Sequence, residues 1–297
     1  MTGKGSPRKI PPMKRTPIGP RFTRQLIKVN DQVCYSALHQ WEFQQLLGPL
    51  VASQPSDFTP SLFPANPFAD TINRKLGDLP AFANEAEQVA LRMGVIAGVE
   101  HGLAYLEEVQ ALRQSLSSSH ADGIKDDAEE EQLRLKVDAW SGQAPVKAYF
   151  RTFGYLRLLR NHYAHVNETL HPSFKTHIRS HGTSLNRFWD NGLTELHGID
   201  FKTLGSLALT PNLTFGIMNL LRVCVLHIDA MVAETLTLAE IVPTVVDEIL
   251  KPPKNRQLKV ERLSSKVRAR LIAGWNIAEG LPLVTREVEK AVAARLG

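Results

Sequence analysis

The sequence predicts an all-α protein, and three observations carry that prediction. Apolar residues recur at steps of three and four along long segments, as on one face of a helix. No stretch alternates apolar and polar residues as a half-buried strand does, and there is no internal repeat. Prolines gather between the periodic segments, at 49–80, 172, 211 and 252–253. The 297 residues are 43% hydrophobic and 22% charged, enough for a sizeable core in one or two domains.

Residues 1–21 read as a disordered basic arm, because the first 20 contain five prolines and three glycines. Residues 1–30 hold eight basic side chains and no acid, so the remaining 267 sum to −3 of the net +5. Such an arm suits a polyanion, or serves only as a solvated tail. Residues 22–82 read as a short helix, with Leu26, Val33, Leu38, Phe43 and Leu46 as its apolar positions, and a connector with six prolines.

Residues 83–250 read as a helical bundle. Its first helix starts at Asn84, with Glu87 completing a capping box, and carries a stripe of Leu91, Val95, Val99, Leu103 and Leu106. Gly94, Gly98 and Gly102 share a neighbouring face, which predicts that another helix, or another copy of the chain, comes close there. Residues 117–132 are polar and acidic and read as an exposed loop. A second helix begins around Pro145, and a third spans about 212–239. The most apolar run, 213–238, is interrupted by Arg222, His227 and Asp229, which favours a buried helix over a membrane span. Residues 251–297 read as a basic helical appendage, with eight Lys or Arg and one acid between 251 and 270.

Several chemistries are excluded. Cys34 and Cys224 make neither a disulfide framework nor a cysteine zinc cage, and fit a reducing, cytoplasmic setting. The first 20 residues lack the apolar core of a secretory signal. Walker A, GxGxxG and GxSxG motifs are absent. His177 and His181 stand four apart, but no HExxH, CxxC or carboxylate cluster accompanies them, so no metal and no cofactor are expected. With His171, Lys175 and Arg179 they read as a polar surface suited to RNA, Lys175 and Arg179 being its cations.

The informative stretch is Arg160-Asn161-His162-Tyr163-Ala164-His165. Val146, Tyr149, Phe153, Leu156, Arg160 and Tyr163 follow one helical stripe, so Arg160 stands where an apolar residue is asked for. A guanidinium keeps its charge and is costly to bury unpaired, so it must meet a carboxylate, a phosphate or water. Asn161 and His165 share the adjoining face, while Arg160 and His165 lie about 140° apart around an ideal helix.

This hexapeptide resembles the motif of the HEPN superfamily, an arginine followed by a polar residue and, a few positions on, a histidine. The resemblance covers about residues 83–240 and leaves out the arm, the connector and the basic C-terminal region. It implies a helical bundle that dimerises, and metal-independent RNA cleavage in a toxin–antitoxin or phage-defence role, with an antitoxin or defence partner. It also implies catalytic parts for Arg160, Asn161 and His165. Beside the resemblance, Glu100, mid-helix, reads as support for the Arg160 site or as an ordinary charge at the helix edge, and His162 and Tyr163 read as support within the motif. His165 would move the proton of the ribose 2′-OH, and Arg160 would hold the phosphate. Two other readings stand beside this one. A catalytically inactive HEPN-like dimer would bind RNA or a partner protein. Alternatively the motif is fortuitous, with Arg160 paired to a carboxylate such as Glu100 and His165 a satisfied histidine of the core or a helix end.

Overall fold

A computed structural model describes residues 13–117, 123–165, 169–190, 193–203, 208–277 and 282–296. These residues form eleven α-helices and, among them, no strand. They are α1 (Gly19–Ser53), α2 (Thr59–Leu62), α3 (Ala69–Ile72), α4 (Leu79–Leu116), α5 (Glu129–Ser141), α6 (Lys147–Ala164), α7 (Pro172–Trp189), α8 (Pro211–Glu234), α9 (Leu238–Leu250), α10 (Val260–Trp275) and α11 (Pro282–Leu296). The all-α class expected from the periodicity is what the chain adopts.

Of the arm expected over residues 1–21, positions 1–12 lie outside the described residues. Residues 13–21 are fixed in the fold, unlike the expected arm, and one buried carboxylate explains why. Asp229, 1% exposed on α8, accepts from the Thr16 backbone N–H at 2.7 Å and the Thr16 hydroxyl at 2.6 Å. Thr16 Oγ1 in turn accepts from the N–H groups of Ile18 and Gly19, so the first turn of α1 is satisfied without a side-chain cap of its own. Met13 and Arg15 tie the same strap to the end of α10, through Asn276 Nδ2 and Trp275 O.

α1 is longer than the short helix expected, running through Pro49 to Ser53. Its inner face, Phe22, Leu26, Val29 and Val33, packs on α4 and α8. Leu38, Phe43 and Leu46, expected on that apolar face, are 56%, 40% and 68% exposed instead. The residues after α1 form a compact proline-rich hairpin around Leu47, Leu76 and Leu79.

The three glycines of α4 each admit a different helix. A Cβ at Gly94 would stand 2.6 Å from Val33 of α1, at Gly98 2.5 Å from Met218 of α8, and at Gly102 2.6 Å from Phe153 of α6. α4 is therefore the axis on which α1, α6 and α8 converge. α8 is long and apolar enough to cross a bilayer by composition, yet here most of it is buried in the bundle.

α5 occupies part of the segment expected to be an exposed acidic loop. Glu130 is 5% exposed, and its carboxylate accepts three hydrogen bonds from Arg157 of α6 at 2.9–3.1 Å. α9 packs with α10 and α11 around Ile241, Val245, Leu263, Val267, Leu271 and Val288. It thus shares a core with the basic region, not with the bundle that the periodicity assigned it to. Leu112 and Leu116, at the end of α4, join the two cores.

Candidate functional site

The last turns of α6 place the motif residues. Arg160 leaves the stripe of Tyr149, Phe153, Leu156 and Tyr163, all buried, at the point where α6 emerges beside α4. Its side chain is 27% exposed and pairs with Glu100 of α4. Asn161 Oδ1 accepts from Arg160 Nη1 at 2.7 Å, so Asn161 orients the arginine. The Arg160 Nε–H is buried and meets no acceptor.

His165 caps the C-terminus of α6 with φ −92° and ψ 1°, and its N–H donates to Asn161 O at 3.1 Å. Its imidazole is exposed. Residues 166–168, which follow it, lie outside the described residues. The helix thus runs unbroken from Arg160 to Ala164 and ends at His165, which keeps the two side chains on different sides of it.

Arg160 lines a cleft of about 380 Å³ with Glu100, Leu103, Ala104, Glu107, Asp127, Glu129, Arg157 and Asn161. His165 is not part of that wall. Two guanidiniums therefore face four carboxylates. Burial first, and then the neighbouring charges of Glu107 and Glu130, raise the Glu129 carboxyl above its ordinary range. One Glu129 oxygen is buried without a hydrogen-bond donor. Nothing in the primary structure announces these acidic walls, because Asp127 and Glu129 sit in a run that reads as solvated.

The supporting residues divide. Glu100 reaches the site directly. His162 is half-buried, its pKa lowered by burial and by Arg92, and its Nδ1 is buried without a partner. Tyr163 is 7% exposed and lines a separate apolar pocket with Tyr155 and Ile199, so it acts in the core. Burial pushes its phenol pKa up.

Lys175 and Arg179 lie on α7, half-buried and exposed respectively, and neither lines the Arg160 cleft. His171 caps α7 by accepting from the Ser173 N–H. His177 and His181 meet edge to face, their ring centroids 4.9 Å apart, and His177 Nε2 lies 2.8 Å from Arg151 O. Burial lowers the His177 pKa to about 4, so its ring is neutral in solution near pH 7. Among the described residues, no three His, Cys, Asp or Glu side chains gather as a metal site would need.

Searched against protein-family models, curated proteins and solved structures, the chain matches none.

Proposed function

We propose that this chain is a HEPN-type endoribonuclease that cleaves RNA without a metal. The observation that carries the reading is the Arg160 guanidinium, 27% exposed on the wall of an open cleft, five residues before an exposed imidazole. A phosphodiester entering the cleft replaces Glu100 on the exposed edge of the guanidinium. His165 accepts the 2′-OH proton as the 2′-oxygen attacks phosphorus. The bond to the 5′-oxygen breaks, and that oxygen takes a proton back. The products are a 2′,3′-cyclic phosphate and a 5′-hydroxyl.

Arg160 carries the charge that develops on the phosphate, and Asn161 holds the arginine in place. Pairing of two copies would bring two motifs to one cleft, which eases the angular separation of Arg160 and His165. Lys175 and Arg179 lie on a face that RNA would cross. The setting is cytoplasmic, in toxin or phage-defence action alongside an antitoxin or defence partner.

A second reading has its own observation. Glu100 neutralises Arg160, and Glu107, Asp127 and Glu129 surround it, a wall that repels a phosphate. On that reading the chain is an inactive HEPN-like dimer that binds RNA or a partner protein. Incubation with RNA in EDTA separates the two. The nuclease yields cyclic-phosphate ends that vanish with His165→Ala and Arg160→Ala. The module yields none and binds RNA with a steep salt dependence. Equal cleavage by wild type and His165→Ala removes His165 from the mechanism.

A further inference from the structure

We infer that the basic face of the C-terminal helices, with the turn between α9 and α10, is a docking surface for the phosphodiester backbone of single-stranded RNA. The choice of RNA rests on the function proposed above, and the surface is where the substrate's flanking strand is held. Its cations are free to receive a phosphate. Lys251, Lys254, Arg256, Lys259, Arg262 and Lys266 are all exposed, and none makes an ion pair among the described residues.

The fold gathers them. Lys259 is the extended N-cap of α10, and Arg262 and Lys266 fall on one arc of the helix, about 6 Å apart along its axis. Lys266 Nζ donates to Asn255 Oδ1 at 3.1 Å, which draws the 3₁₀ turn Pro253–Asn255 against α10. Lys254 is exposed in that turn, and Arg256, just after it, lines a neighbouring pocket with Lys251 and with Thr244, Asp247 and Glu248 of α9.

Asp247 and Glu248 share a pocket with Lys251 and Arg256, but each carboxylate already faces another arginine. Asp247 accepts two hydrogen bonds from Arg295, at 2.6 and 2.7 Å. Glu248 faces Arg270 at 3.7 Å. Glu261 stands about 140° around α10 from Lys266. Residues 251–270 carry a net +7 and residues 1–30 a net +8, so the rest of a +5 chain sums to −10. A polyanion repelled by that acidic remainder is steered to these cations. Ala269 and Ala273 continue the arc, and no bulky apolar side chain stands on it, which favours a nucleic acid over a bilayer.

This face is separate from the Arg160 cleft. Leu116 of α4 packs in the C-terminal core, and Glu100 lies 16 residues before it, about 24 Å along the helix. A strand must therefore be several nucleotides long to touch both.

The test uses the full chain and a labelled 20-nucleotide RNA of mixed sequence made uncleavable by 2′-O-methylation, read by fluorescence anisotropy from 50 to 300 mM salt. Replacing Lys254, Arg256, Lys259, Arg262 and Lys266 with Gln is expected to weaken binding at least 100-fold at about 50 mM salt. The log–log salt slope should fall by about 3.5, at about 0.7 for each phosphate that no longer meets a cation. The charge-preserving variant Lys254→Arg/Lys259→Arg/Lys266→Arg is expected to bind as wild type does, which separates charge from folding.

Unchanged affinity and slope in the Gln variant overturn the inference. So does tighter binding to vesicles containing phosphatidylserine than to RNA at equal salt, which would make the face a membrane surface. Because the probe cannot be cut, weakened binding by the Gln variant upholds the docking surface even if no cleavage is ever seen. Conversely, a chain that cuts RNA while the Gln variant keeps the wild-type KM on a 20-mer retains the nuclease and loses the surface.

Discussion

Arg160 of α6 pairs with Glu100 of α4 across the wall of the cleft, and Asn161 holds a second guanidinium nitrogen, so a permanent cation is kept in place and neutralised at once. On the nuclease reading, Glu100 competes with the phosphate for Arg160. Glu100→Gln should then raise the rate of RNA cleavage several-fold at limiting RNA, through a lower KM, and adding His165→Ala should abolish the gain. Both side chains are partly exposed, so the change in stability should stay within about 1 kcal/mol. Single-turnover cleavage and a thermal melt measure the two sides. A fall in cleavage with Glu100→Gln would mean that the carboxylate positions the arginine for the reaction.

The buried pair of Glu130 and Arg157 makes a different prediction. The carboxylate side chain is only 7% exposed and the arginine 22%, and three hydrogen bonds join them. Removing one partner leaves the other charged in a poorly hydrated place. Glu130→Ala is expected to cost about 3 kcal/mol, and Glu130→Ala with Arg157→Ala less than the sum of the single changes. Denaturant melts of the four proteins close the cycle. Gly154→Ala should weaken the same pair, because its Cβ would lie 2.8 Å from Glu130 Oε1 and 3.1 Å from His177 Cε1.

The α4 glycines separate propensity from packing. Alanine gains about 1 kcal/mol of helix propensity over glycine. At Gly98 the new methyl group meets Met218, a flexible thioether that can swing aside, so Gly98→Ala should be close to neutral. At Gly102 it meets the buried ring of Phe153, which is 0% exposed and has nowhere to go. Gly102→Ala should therefore destabilise by about 1–2 kcal/mol net, and Gly102→Ala with Phe153→Leu should recover part of the loss. Midpoints in urea rank the variants. Equal midpoints for the two single changes would mean that the bundle relaxes freely around Phe153.

Sequence conveys some of these relationships and hides others. Periodicity located α4, α6 and α8, because each buries a continuous stripe, although α4 begins at Leu79 after Asp78 and runs through the expected Asn84–Glu87 capping box. The glycine spacing announced close packing because only packing explains three glycines at four-residue steps. The partners of those glycines were not legible, since Val33, Met218 and Phe153 come from distant segments. α1 misled for a local reason. Leu38 and Leu46 are apolar but face solvent, so the stripe reads as inward when only part of it is. α5 was missed because its first turn is Glu129, Glu130 and Glu131, which reads as solvated until Arg157 is seen opposite. Arg160 was legible as an anomaly on an apolar face. The acidic company it keeps was not, because Glu100, Glu107, Asp127 and Glu129 converge only in three dimensions.

The carboxyl of Asp229 supplies a pH dependence whose sign follows from its surroundings. It is 1% exposed, and burial raises its pKa from 3.8 to about 6, although Thr16 and Tyr105 donate hydrogen bonds that pull the other way. Because the folded value lies above the unfolded one, the folded protein holds this proton more tightly. The stabilisation is therefore complete below about pH 4 and is lost as pH rises through 6, amounting to about 3 kcal/mol. Asp229→Asn cannot titrate. The stability of wild type relative to Asp229→Asn should thus fall by about that amount between pH 4 and 7, while carboxylates common to both proteins cancel. Urea unfolding of the pair at four pH values gives the difference directly. Parallel curves would mean that the hydrogen bonds from Thr16 outweigh burial and keep Asp229 ionised. In that case Thr16→Val, which removes the hydroxyl donor at 2.6 Å, should raise the carboxyl's pKa and restore the slope.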